Sequence, residues 1–271
     1  MGVFQNNLLA GAAAAASAGG AAFYDYQIEQ SVRFDSASSS YMNRTFSSEG
    51  NRRTGTFSVW VKRVSPGSGT SELIMNAHIS NADQDQLFGF TSSDFPHVWM
   101  DGGTYGYQVA DGKYRDASGW GHFVVAWDST QSTSTDRIKL YLNGNQLTTA
   151  NDSPTQPSQN RQFWTFDDVE HAIGRRTAYG GQNYFNGYLA ELIAVDGTAY
   201  APTQFGETKN GVWIPKDPTG TSFGTNGFHL KFENASDLGN DSSGNNNDFT
   251  VANMGADHQV ISTPTNGTGS S

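Results

Sequence analysis

Residues 120–146 read Trp120-Gly-His-Phe-Val-Val-Ala-Trp127-Asp128, a polar stretch rich in Ser and Thr, then Arg137-Ile-Lys-Leu-Tyr-Leu-Asn143-Gly144-Asn-Gln146. In the first part Phe123, Val125 and Trp127 fall on one face of an extended chain. In the second, Ile138, Leu140 and Leu142 alternate with Lys139, Tyr141 and Asn143. Alternation with period two, rich in aromatic and β-branched residues, marks strands with one face in a core. Asn143-Gly144 marks a two-residue turn, because a type I′ hairpin needs two successive left-handed residues. The stretch decides for a sheet protein and leaves function open.

Working outward, further strands are expected at 30–35, 40–45, 55–64, 72–77, 86–91, 96–100, 106–110, 170–175, 188–195, 228–232 and 248–252. Gly, Asn, Asp and Ser lie between them, which fits an antiparallel sandwich better than alternating strands and helices. The segment 188–195 is almost wholly apolar, as expected of a strand buried on both faces. A short helical turn is expected over 203–209, and 150–162 reads as a polar, Pro-containing loop. Residues 1–25 differ in kind, because 11–22 are Ala and Gly with one Ser. No basic residue precedes that block and it is a poor apolar segment, so it reads as an arm rather than a secretory signal. The organisation expected is an arm over 1–25, one sandwich domain over 26–261 and a tail over 262–271.

The chain has 271 residues, no cysteine, and 26 acidic against 16 basic side chains. The length suffices for a real core in one all-β domain. Without cysteine there is neither a disulfide framework nor a thiolate metal site. A net charge of -10 argues against nucleic acid, whose sequence-independent binding needs surplus Lys and Arg. No run of about 18 strongly apolar residues offers a membrane span.

Three segments together resemble the concanavalin A-like lectin/glucanase superfamily in its laminin-G-like, pentraxin-like branch. They are Gly55-Thr-Phe-Ser-Val-Trp-Val-Lys-Arg63, the 120–146 stretch, and Tyr184-Phe-Asn-Gly-Tyr-Leu-Ala-Glu-Leu-Ile-Ala-Val-Asp-Gly197. The resemblance spans about 30–255 and implies an all-β jelly-roll sandwich of two antiparallel sheets. With Arg33-Phe34-Asp35, Ser40-Tyr41-Met42 and Asn51-Arg52-Arg53-Thr54, it is similar to the version in virion proteins of tailed phages. There the domain often follows an Ala/Gly-rich N-terminus.

Members of the superfamily that cleave β-glucans carry carboxylates on one strand as Glu-x-Asp-x-Glu. The nearest match, Glu191-Leu-Ile-Ala-Val-Asp196, has Ile193 in place of the middle acid. Glu191 and Asp196 would also point to opposite faces unless a bulge intervened. Glu191 is therefore expected to be held by an Arg or a backbone amide, and no catalytic residue is assigned. Asp241-Ser-Ser-Gly-Asn245-Asn-Asn247-Asp248 resembles a loop of laminin-G-like domains where calcium is often bound. Asp241, Asn245 and Asn247 are its candidate oxygen ligands, against a loop closed by its own side chains. His122 and His229 lie inside strands and are expected to be paired rather than ligands. The aromatic, amide-bearing loops carrying Tyr105, Tyr107, Tyr179, Asn183 and Tyr184 suit sugar rings. They suit subunit contacts and plain turns as well.

The expectation drawn is a non-enzymatic virion structural protein of a phage-like particle: a capsid decoration, fibre or tail component at the particle surface. Its arm would contact other virion proteins through Val3, Phe4, Leu8 and Leu9. A homo-oligomer and a host-surface glycan are further expected partners. The alternative is a secreted or surface carbohydrate-binding module located outside the cell, and a third reading is a polysaccharide depolymerase.

Overall fold

The computed structural model describes residues 23–80, 84–100, 106–148, 156–177 and 181–265. The arm residues Val3, Phe4, Leu8 and Leu9, and the loop residues Tyr105 and Tyr179, lie outside them. Among the described residues every strand pairing is antiparallel, and two large sheets face one another.

The first sheet contains β1 (Ser31–Phe34), β3 (Thr54–Arg63), β8 (Gly121–Asp128), β9 (Ile138–Leu142), β10 (Asn145–Gln146), β12 (Gly187–Asp196), β15 (Phe228–Leu230) and β17 (Gln259–Val260). Its order is β10-β9-β8-β3-β12-β1-β17, with β15 also paired to β12. The second contains β2 (Tyr41–Thr45), β4 (Glu72–His78), β5 (Gln84–Phe90), β6 (Pro96–Trp99), β7 (Tyr107–Val109), β11 (Glu170–Ile173) and β16 (Thr250–Ala252). Its order is β16-β2-β11-β4-β5-β6-β7.

The period-two pattern sets what each sheet buries. Phe57, Val59 and Val61 of β3, Phe123, Val125 and Trp127 of β8, and Leu140 of β9 point inward. They meet Met42, Met75, Leu87, Phe88, Phe90, Val98 and Ile173 from the other sheet. Each such side chain, fully buried, contributes about 1.5–3 kcal/mol. The second residue of β3 is Gly55 because Trp127 lies directly across; a Cβ there would sit 2.3 Å from its ring. The tip between β9 and β10 has Asn143 at φ 48 and Gly144 at φ 79, the two left-handed residues the sequence requires.

One segment departs from expectation. Over 203–209 the chain makes only a 3₁₀ turn, Pro202–Gln204, and then enters β13 (Gly206–Lys209), which pairs with β14 (Val212–Pro215). The cause is Asn210-Gly211, at φ 52 and 81, a second tight hairpin turn. This hairpin, with Tyr200, Phe205 and Phe223, lies on the outer face of the first sheet over Val124, Ile193 and Val195. Tyr26 and Ile28 pack beside Trp60, Ala190 and Trp213 on the same face. That is why β12 is buried on both sides along almost its whole length.

Candidate functional site

A cleft of about 350 Å³ opens where β3 ends, β4 begins and the β11–β12 connection returns. Its lining is nearly all small hydroxyls and amides: Ser65, Ser68, Thr70, Asn183 and Asn186, with the ring of Tyr184. The Ser/Gly/Thr run after β3 makes a turn there. The main chain fixes the two walls, since Val64 N–H donates to Asn186 O (3.1 Å) and Leu73 N–H to Asn183 O (3.0 Å). Asn186 is held from both ends: Arg33 donates to its Oδ1 (2.7 Å), and its Nδ2 donates to Ser65 Oγ (2.9 Å). Tyr184 leans on Tyr41 with ring centroids 6.5 Å apart. The Arg175 guanidinium covers Tyr41 at 3.6 Å and is tied to Glu170 (2.9 Å). The aromatic wall is thus held from behind.

The floor of the cleft is charged but neutralised. Arg63, fully buried at the end of β3, meets Glu72 at 2.7 Å and Asp94 at 3.0 Å, donates to Tyr114 O (2.8 Å) and lies over Phe90 at 4.4 Å. Arg115 closes the group on Asp94 at 2.6 Å. Burial pushes the Glu72 carboxyl upward against the pull of Arg63. Read in sequence, Lys62-Arg63 is an ordinary polar strand end. The partners of Arg63 are assembled only by tertiary folding, and no spacing signal announces them.

The sequence loops separate. Asn183 and Tyr184 come together in the cleft, whereas Tyr107 lies in β7 of the second sheet, opposite Trp99.

Asp241, Asn245 and Asn247 do converge, but upon the chain itself. Asp241 Oδ1 accepts from the backbone N–H of His229 (2.8 Å) and Ser243 (2.9 Å). Its Oδ2 accepts from Ser243 Oγ (2.8 Å) and Asn247 N–H (2.8 Å). Asn245 and Asn247 turn their amide N–H groups to the carbonyls of Gly224, Thr225 and Gly227. A carboxylate offers about four acceptor positions, and all four are taken. A calcium ion needs free oxygens, so this arrangement does not fit one and forms an Asx-type closed turn.

Glu191 is held, though by neither an Arg nor a backbone amide. The ladder to β3 shifts between Ala190 and Ile193, and Glu191 takes φ 45 in the bulge. The Tyr26 hydroxyl donates to its Oε1, and His229 Nε2 lies 2.5 Å from its Oε2. Burial, with the Glu191 charge, pushes the Tyr26 phenol upward, so it stays a donor. Asp196 faces Gly55, roughly 15 Å along the strand, where it accepts from the N–H groups of Asn51 and Asn226. The close carboxylate pair of a retaining glycosidase, about 5 Å apart, is not assembled by these two.

His122 carries a related lesson. Trp213 Nε1 donates to its Nδ1 (3.0 Å), so the proton sits on Nε2, 2.8 Å from Ser58 Oγ. Burial drives its pKa down to about 3. This tautomer cannot take a proton from Ser58, so the pair is not an activated nucleophile.

An all-β sandwich of two facing antiparallel sheets, with a loop-borne polar cleft at one end, is a lectin-like architecture. A laminin-G-type family model, described as the concanavalin A-like lectin/glucanases superfamily, matches residues 34–203, more than half of the chain, and the chain belongs to that family. No curated protein matches it in sequence. Among solved structures it is similar to the heptameric SAP-like pentraxin of Limulus polyphemus: 14% identity over 66% of this chain and 81% of that one, TM-score 0.47. It is also similar to a candidate carbohydrate-binding protein of Bacteroides ovatus: 14% identity over 84% of this chain and 61% of that one, TM-score 0.47. A third is domain 4 of an extracellular arabinanase from Geobacillus stearothermophilus in complex with arabinotriose: 14% identity over 57% of this chain and 65% of that one, TM-score 0.38. At such identities these likenesses carry no argument about ligand or activity. Among the described residues no helix is long and apolar enough to cross a membrane.

Proposed function

We propose that this chain is a non-enzymatic carbohydrate-binding module, and that the cleft between Ser65 and Asn186 is where it holds a saccharide. The observation that carries the reading is the lining: hydroxyls, two side-chain amides and one aromatic ring, with the carboxylate of Glu72 already committed to Arg63. Sugar hydroxyls need donors and acceptors in close alternation, which Ser, Thr and Asn supply together. Their C–H faces need a flat apolar partner, which Tyr184 supplies. A neutral saccharide brings no charge that the acidic protein would repel. A glycan array followed by titration calorimetry tests this. The expected result is binding of neutral oligosaccharides that falls at least tenfold in Tyr184→Ala. Binding equal in wild type and variant would remove the cleft from the reading.

The virion role is a second reading. It rests on the Ala/Gly-rich stretch of 11–22, with the cleft turned toward a host-surface glycan. Mass spectrometry of purified particles, with copy number per particle, tests it.

A further inference from the structure

β3 is ten residues long, and its two ends open onto different clefts. Beyond Arg63 lies the cleft just described. Before Thr54 lies another, of about 390 Å³, bounded by Arg52, Arg161, Gln159, Asn160, Gln162 and Trp164. At about 3.3 Å per residue the two lie roughly 30 Å apart. The second joins side-chain amides and two arginines to one aromatic ring. Trp164 is half-buried, and the guanidinium of Arg52 lies 4.9 Å from its ring centroid. Arg52 is itself fixed: its Nε donates to Phe163 O (2.7 Å), and it meets Asp167 at 3.0 Å and Glu49 at 3.4 Å. Two acids thus offset its charge. The indole Nε1 of Trp164 is shut off from solvent, so what the half-buried ring offers a ligand is its exposed carbon surface.

We infer that the cleft at Trp164 is a second saccharide site, so that the module is bivalent toward neutral glycans. The inference rests on the carbohydrate-binding reading but not on the first cleft. Two sites some 30 Å apart on a rigid sandwich engage one extended polysaccharide twice, or two chains at once. Linked sites multiply affinity without new contacts, by roughly a hundredfold or more when geometry permits.

The test uses the full chain and the neutral oligosaccharide that binds most strongly on the array. Wild type is expected to take two equivalents in calorimetry. Trp164→Ala and Tyr184→Ala should take one each, and the double variant none. Gln162→Ala, a change at an exposed side chain, weakens only the second site and guards against a folding defect in Trp164→Ala. One equivalent in wild type, lost in Tyr184→Ala and unaffected by Trp164→Ala and Gln162→Ala, would overturn the inference and leave the first cleft standing. One equivalent, lost in Trp164→Ala and weakened in Gln162→Ala but unaffected by Tyr184→Ala, would overturn bivalency and the first cleft and leave Trp164 as the single site. No binding to any arrayed glycan would overturn both.

Discussion

The cleft at Asn186 and the loop at Asp241 are built from the same residue types and end in opposite states. Both are runs of Ser, Gly and Asn next to an acid. In the loop every acceptor of Asp241 is filled by the chain's own N–H and O–H groups, and the Asn amides are spent on backbone carbonyls. In the cleft the acid is removed from play by a buried arginine below, and the hydroxyls and amides, bonded mostly to one another's side chains, still line the open space. Composition shows that a segment is polar. Whether its polarity serves a ligand or the fold depends on which partners tertiary structure brings to it.

The contrast breaks most visibly at Arg63. Removing the guanidinium leaves Glu72 and Asp94 buried without their shared cation, and breaking a buried pair in this way costs roughly 3–5 kcal/mol. Arg63→Ala should therefore lower the unfolding free energy read from urea titration by that much and open the cleft floor, with saccharide binding lost in parallel. An unfolding free energy within about 1 kcal/mol of wild type would show that water relieves the two acids and that the floor is not a buried ion network.

The Asp241 side of the contrast predicts a smaller loss without loss of ligand. Asp241→Ala strands the buried N–H groups of His229 and Asn247, at about 1–3 kcal/mol for each unsatisfied group. A destabilisation near 3 kcal/mol is expected by chemical denaturation, with saccharide affinity unchanged. Altered affinity would link the loop to the binding site and dissolve the comparison.

The same asymmetry governs what the sequence could disclose. The strands at 120–146 were legible because alternation and an Asn-Gly turn are local signals, and Trp127 and Leu140 lie where that pattern puts them. The helical turn expected over 203–209 was present only as Pro202–Gln204, for an equally local reason, since the Asn210-Gly211 turn draws 206–209 into a hairpin. Asn183 and Tyr184 could be picked out as an aromatic, amide-bearing loop. The facing wall at 65–70 read only as a turn, and Trp164 with Arg52 gave no sign of meeting. Glu191 drew notice as an acid in an apolar strand, but its partner Tyr26 lies 165 residues away and its bulge leaves no mark in the sequence.

A third measurement separates both regions from the sandwich between them. Burial holds His97, His122 and His171 at pKa values of about 4, 3 and 4, against roughly 6.5 for a free imidazole. Between pH 6 and 5 the unfolded chain therefore binds nearly three protons that the native protein does not. Asp85 opposes this, because burial raises it to about 7 and the native state holds a proton there that the unfolded chain lacks. Over these four groups the balance is nearly two protons in favour of the unfolded chain, about 2 kcal/mol of stability lost for each pH unit of acidification in this window, and the raised carboxyls of Glu72 and Asp167 reduce that fall. Thermal melts at pH 6.0 and 5.0 read this directly. An unchanged or rising melting temperature would mean that the three imidazoles become protonated within the native fold.

The smallest expected effect is zero, and it bears on the comparison most directly. A cation bound only by the folded state stabilises it by mass action, by about 2.7 kcal/mol at a hundred times the dissociation constant. For a domain of this size that amounts to roughly 2–4 °C per kcal/mol in melting temperature. Asp241 has no acceptor position left, and the Asn245 and Asn247 amides present N–H groups to the carbonyls around them. To admit calcium, the loop would have to give up four hydrogen bonds to one carboxylate and turn two amides over. Chelator and millimolar calcium should therefore give superimposable melting curves, in the wild type and in Asn245→Ala alike. A calcium-dependent rise of several degrees that vanishes in Asn245→Ala would show that the loop reopens around an ion. The two polar regions would then differ in their ligand and not in whether they have one.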